Sequence, residues 1–69
     1  MKPITILLNG ERREVEPGST LADLIAADGQ PPHWLATAIN GVFVPRDARA
    51  VQQLHEGDAV FTFQPITGG

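Results

Sequence analysis

Ile4-Thr5-Ile6-Leu7-Leu8-Asn9-Gly10-Glu11-Arg12-Arg13-Glu14-Val15-Glu16 is the stretch on which the fold turns. Ile4 to Leu8 is apolar and rich in β-branched residues, so it reads as a strand. Asn9-Gly10 is the strongest short hairpin signal, because both residues tolerate positive φ. Arg13 to Glu16 reads as the returning strand, with Val15 its apolar member. The charges around it (Glu11, Arg12, Arg13, Glu14) read as a solvated hairpin edge, and Pro17-Gly18 ends it.

Outward from the hairpin, Ser19 or Thr20 caps a helix. Thr20 with Asp23 approximates a capping box in which Asp replaces the usual Glu or Gln. Leu21, Leu24 and Ile25 fall on one stripe, Ala22, Ala26 and Ala27 favour helix, and Gly29 suits its closing position. Pro31-Pro32 cannot continue it. Leu35 to Asn40 reads as a third strand, Gly41 as a turn and Val42-Phe43-Val44 as a short strand before Pro45. Arg46 to His55 is polar, with Val51 and Leu54 as expected anchors. Gly57-Asp58 reads as a turn and Ala59 to Gln64 as the last strand. A lone helix covers only one face of such a sheet. With the first and last strands side by side in the middle, the layout is an α+β β-grasp with a mixed sheet of four to five strands. The expected core is Ile6, Leu8, Leu21, Leu24, Ile25, Ile39, Val44, Leu54 and Val60.

Composition limits what such a chain can do. Its 69 residues make one domain, and a chain this short hides only about 60% of its unfolded surface, leaving little room for an enclosed catalytic pocket. It has no cysteine, hence no disulfide framework, no cysteine metal site and no thiol nucleophile. Net charge is −3, and the five basic residues, Lys2, Arg12, Arg13, Arg46 and Arg49, are scattered; no basic stripe suits nucleic acid. No apolar run is long enough for a signal peptide or a membrane span, so a cytoplasmic protein is expected. His33 and His55 lack metal-ligand spacing, Ser19 has no base beside it, and no catalytic dyad is legible. Trp34 reads as a partly buried plug where the helix crosses to the sheet, and Asp23, Asp28, Asp47 and Asp58 as cap and turn residues.

Three stretches carry a resemblance to a known family: Leu7-Leu8-Asn9-Gly10; Ala38-Ile39-Asn40-Gly41-Val42-Phe43-Val44-Pro45-Arg46; and Gly57-Asp58-Ala59-Val60 running on to Gly68-Gly69. Together they resemble the ThiS family, the ubiquitin-like sulfur carriers of thiamine biosynthesis, over nearly the whole chain. Pro65-Ile66-Thr67 departs from the family pattern and stiffens the approach to the glycines. The resemblance implies a domain over residues 1–65 and a flexible tail over 66–69. It implies that a ThiF-like adenylyltransferase, using ATP and Mg, activates the Gly69 carboxylate. A cysteine desulfurase or other persulfide donor then supplies sulfur, and the thiocarboxylate serves a ThiG-like thiazole synthase. The chain is then a protein co-substrate rather than an enzyme, and binds no cofactor or metal itself. Gly68 and Gly69 lack Cβ atoms and suit a tail that threads a partner's narrow site.

Partner contacts are expected from Leu7, Phe61, Phe63, Pro65, Ile66 and Thr67. Strand parity decides the aromatic pair, since Val60 and Thr62 point one way and Phe61 and Phe63 the other. Size alone puts the phenylalanines inside. The resemblance puts Val60 and Thr62 toward the helix and Leu7, Phe61 and Phe63 on the open face. Other readings are a carrier for molybdopterin synthesis, a regulatory or RNA-associated β-grasp module without tail chemistry, and a modifier conjugated to lysines.

Overall fold

The computed structural model describes residues 2–29 and 35–63. Strands β1 (Ile4–Leu8) and β2 (Glu11–Val15) form the first hairpin, and helix α1 (Leu21–Asp28) follows. Strands β3 (Ala36–Ile39) and β4 (Val42–Val44) form a second hairpin, a short 3-10 turn spans Arg46–Ala48, and β5 (Ala59–Phe63) completes the sheet. The strand order is β2-β1-β5-β3-β4. The central pair, β1 and β5, is parallel, and the other pairs are antiparallel. This mixed five-stranded sheet with one helix is a ubiquitin-like β-grasp.

Both hairpins close through Asn-Gly pairs with positive φ throughout: 52° and 85° at Asn9-Gly10, 51° and 83° at Asn40-Gly41. Two successive positive φ values match the right-handed strand twist across a two-residue turn. So tight a turn pairs Leu8 with Glu11 at once, and β2 therefore starts two residues before the expected Arg13. Arg13 is also not simply solvated. It bridges to Asp28 at 2.8 Å and ties β2 to the end of the helix. The helix starts as its sequence requires: Asp23 N–H donates to the Thr20 hydroxyl and the Asp23 carboxylate accepts from Thr20 N–H.

The nine residues expected in the core are the nine buried apolar residues among those described. Leu21, Leu24 and Ile25 bring the helix onto Ile6, Leu8, Ile39, Val44 and Val60, with Leu54 beneath. Val51, the other expected anchor, is 79% exposed. From Pro45 to Gln52 the backbone bonds run three residues back, Arg49 N–H to Arg46 and Gln52 N–H to Arg49 among them. Arg49 takes the buried face at 4% exposure, and Val51 is turned outward. No helix among the described residues is long and apolar enough to cross a membrane.

Candidate functional site

Residues 64–69, with Gly68 and Gly69, follow β5 in the sequence, so the site is built around that strand. β5 is gripped by both Asn-Gly turns. On one side β1 ends at Leu8, and the Asn9 side chain continues its ladder: Thr62 N–H donates to Asn9 Oδ1 and Asn9 Nδ2 donates to Thr62 Oγ1, both at 2.9 Å. On the other side Ala59 N–H donates to Asn40 Oδ1 at 3.0 Å, and Asn40 Nδ2 donates to Asp58 Oδ1 at 3.0 Å. Asp58 Oδ2 accepts from the His55 backbone at 2.8 Å and so holds the turn that launches the strand. An amide side chain can donate and accept at once, which lets each Asn serve a strand not its own. The Asn-Gly pairs announced turns in the sequence, but nothing local in them signalled this second task.

Parity along β5 is set by Val60, which is fully buried, while Phe61 and Phe63 are 43% and 50% exposed. The larger side chains stand outward because the helix approaches the face that carries Val60. Leu7, between buried Ile6 and Leu8, is 40% exposed on the same open face. Phe43 was missed as a surface residue by sequence reasoning. It is 62% exposed and lies in register with Ala38, which lies in register with Phe61. Its parity against buried Val44 was the available signal. The remaining expected contact and tail residues, Pro65, Ile66, Thr67, Gly68 and Gly69, lie outside the described residues, as do His33 and Trp34.

Beneath the sheet is a second feature that composition did not suggest. Arg49 Nε donates to the Thr37 hydroxyl at 3.1 Å, Arg49 Nη2 donates to the Leu35 carbonyl, and Thr37 Oγ1 donates to the Val44 carbonyl at 2.9 Å. Burial, and then the charge of Arg46, hold the Arg49 guanidinium below its ordinary pKa. This network fixes the β3–β4 hairpin, and with it Phe43 and Ala38, to the segment after the 3-10 turn. Grooves of about 260 Å³ beside Ala22 and Arg46, and about 300 Å³ beside Val42 and His55, lie away from Phe61 and Phe63. Among the described residues no group of three or more His, Cys, Asp or Glu could hold a metal ion. The described surface thus offers an apolar face of the sheet that carries Leu7, Phe43, Phe61 and Phe63.

The ThiS family model matches residues 6–69. The chain is 34% identical over 64 residues to the sulfur carrier protein ThiS of Escherichia coli (strain K12), covering 93% of this chain and 97% of that one. Its fold is similar to the crystal structure of the thiamine biosynthesis protein ThiS from Geobacter metallireducens, with a TM-score of 0.84 at 22% identity over 96% of this chain and 100% of that one.

Proposed function

The chain belongs to the ThiS family of sulfur carriers, and from that premise we propose that the Gly69 carboxylate is its working group. A carboxylate is a poor electrophile, so the reaction is divided through covalent intermediates. An adenylyltransferase joins Gly69 to AMP from ATP, with Mg, and releases pyrophosphate. A persulfide sulfur from a donor such as a cysteine desulfurase attacks the acyl carbon, and AMP leaves. A thiol resolves the resulting acyl disulfide and frees the thiocarboxylate, whose nucleophilic sulfur goes to a thiazole synthase in thiamine biosynthesis. The absence of cysteine in the chain fits a sulfur donor carried by another protein. ATP and reduced thiols make the cytoplasm the place of work.

The observation that carries this reading is the extent of the family match, which runs through residue 69 and so includes Gly68-Gly69. In this reading residues 66–69 form the threading tail, with Pro65 at its root. The test is intact-mass analysis of the protein from its native cell, and after incubation with adenylyltransferase, ATP–Mg and a persulfide donor. An exchange of one oxygen for sulfur at the C-terminus is expected. Unmodified mass under both conditions refutes the carrier chemistry, and amide conjugates on lysines would point to a modifier.

A further inference from the structure

We propose that Asn40-Gly41 is a site of spontaneous deamidation whose acidic product releases the start of β5, whereas the same product at Asn9-Gly10 is absorbed by Thr62. The modification belongs to the chain's own chemistry in water and is independent of sulfur transfer.

The reaction needs only the chain and water. The Gly41 nitrogen attacks the Asn40 side-chain carbonyl carbon, ammonia leaves, and a cyclic imide joins the two residues. Water opens the ring at either carbonyl to give aspartate or isoaspartate, so an amide and a water become a carboxylate and an ammonium ion. Glycine obstructs the attack least, having no Cβ beside the attacking nitrogen. A Cβ built on Gly41 would meet nothing within 4 Å, so the turn stands open to the imide and to water. Among the described residues the Gly41 N–H takes part in none of the turn and loop backbone bonds.

The aspartate product meets different partners at the two turns. Asn40 Nδ2 donates to Asp58 Oδ1 at 3.0 Å, while Asn40 Oδ1 accepts from Ala59 N–H. The Asp58 side chain is only 13% exposed, and its other oxygen holds the His55 backbone and lies 3.8 Å from the exposed His55 ring. Deamidation replaces the donor with a carboxylate oxygen. Two carboxylates then meet with little water between them, and Asp58 Oδ1 loses its donor. The loss falls on the turn that launches β5. At the other turn Asn9 Nδ2 donates to the Thr62 hydroxyl. A hydroxyl donates as well as accepts, so it turns its proton toward the new acid and the contact survives. Asp-Gly also suits a two-residue turn of this type.

The test ages the full chain in warm, mildly alkaline buffer and follows it by peptide mapping and thermal melting, beside the variants Asn40→Asp, Asn9→Asp and the exchanged pair Asn40→Asp/Asp58→Asn. Acid should accumulate at residue 40, and the fraction carrying it, separated by its added negative charge, should melt below the unaged protein. Asn40→Asp should lower Tm by about 8 °C or more, and Asn9→Asp by under about 4 °C. The exchanged pair restores one donor facing one carboxylate and should recover most of the loss, which keeps the test decisive even where Asn40→Asp alone fails to fold. An intact amide at residue 40 after the Asn9 amide has been lost overturns the proposal. So does a Tm for Asn40→Asp no lower than that of Asn9→Asp, or an exchanged pair no more stable than Asn40→Asp, since the loss would then not arise from the contact with Asp58.

Discussion

Arg49 is the most consequential side chain that composition disguised, and replacing it with methionine tests its role. Methionine keeps an unbranched apolar stem but removes the guanidinium bonds to the Thr37 hydroxyl and the Leu35 carbonyl. Bonds from a charged donor contribute about 1.5–3 kcal/mol each. Against that stands the cost of holding the guanidinium out of water, visible in its lowered pKa; its relief offsets part of the loss. Thr37 retains its bond to Val44, so the Leu35 carbonyl is the acceptor that must find a new partner. We expect a net loss of about 2–4 kcal/mol. A domain this size is stable by about 3–10 kcal/mol, and each kcal/mol shifts its Tm by about 4–8 °C, so Tm should fall by roughly 8–32 °C. The assay is thermal unfolding followed by far-UV circular dichroism at neutral pH. Arg49→Lys should lose nearly as much, since an ammonium is a point donor without the planar fork. A Tm within about 3 °C of wild type for Arg49→Met, under 1 kcal/mol on that scale, would refute the argument.

Appending a residue after Gly69 should leave Tm unchanged and abolish adenylation; full sulfur loading of the extended chain without trimming, read by intact mass, would count against a working terminal carboxylate. Gly68→Ala should fold normally and slow loading or transfer, because a methyl narrows backbone freedom and adds bulk in a partner's channel; single-turnover kinetics equal to wild type would make Gly68 a spacer. Leu24→Ala removes a buried helix side chain and should cost about 2–5 kcal/mol, measured by denaturant unfolding; a near-wild-type midpoint would contradict the packing of α1. Phe63→Ser alters a half-exposed ring, so it should weaken binding to the adenylyltransferase far more than it lowers Tm, and unfolding of this variant would mean the ring supports the core.

Where a residue's fate is set by periodicity, it was legible in the sequence. Ile6 and Leu8 alternate around Leu7, and Leu21, Leu24 and Ile25 make one stripe, so these five core residues followed from spacing. Phe61 and Phe63 mark the limit of that logic. Alternation says that Val60 and Phe61 oppose each other but not which is inside, and ring size favours the wrong face. The face is chosen by the helix, which packs on the side bearing Val60, and only the resemblance to the ThiS family carried that information. Val51 and Arg49 show a different limit. Through the segment after Pro45 the backbone follows a three-residue turn, too brief to leave a pattern, so hydropathy nominated Val51 as an anchor and left Arg49 among solvated charges. The structure reverses them because Thr37 and the Leu35 carbonyl offer acceptors beneath the sheet, and a buried charge survives where such partners exist. Asn9 and Asn40 make the same point at the site. Their turns are local and were readable, while their grip on β5 joins residues 53 apart, Asn9 to Thr62, and 19 apart, Asn40 to Ala59. β5 is thus held by contacts between distant parts of the chain, and the chemistry proposed for the glycines is read from sequence and family.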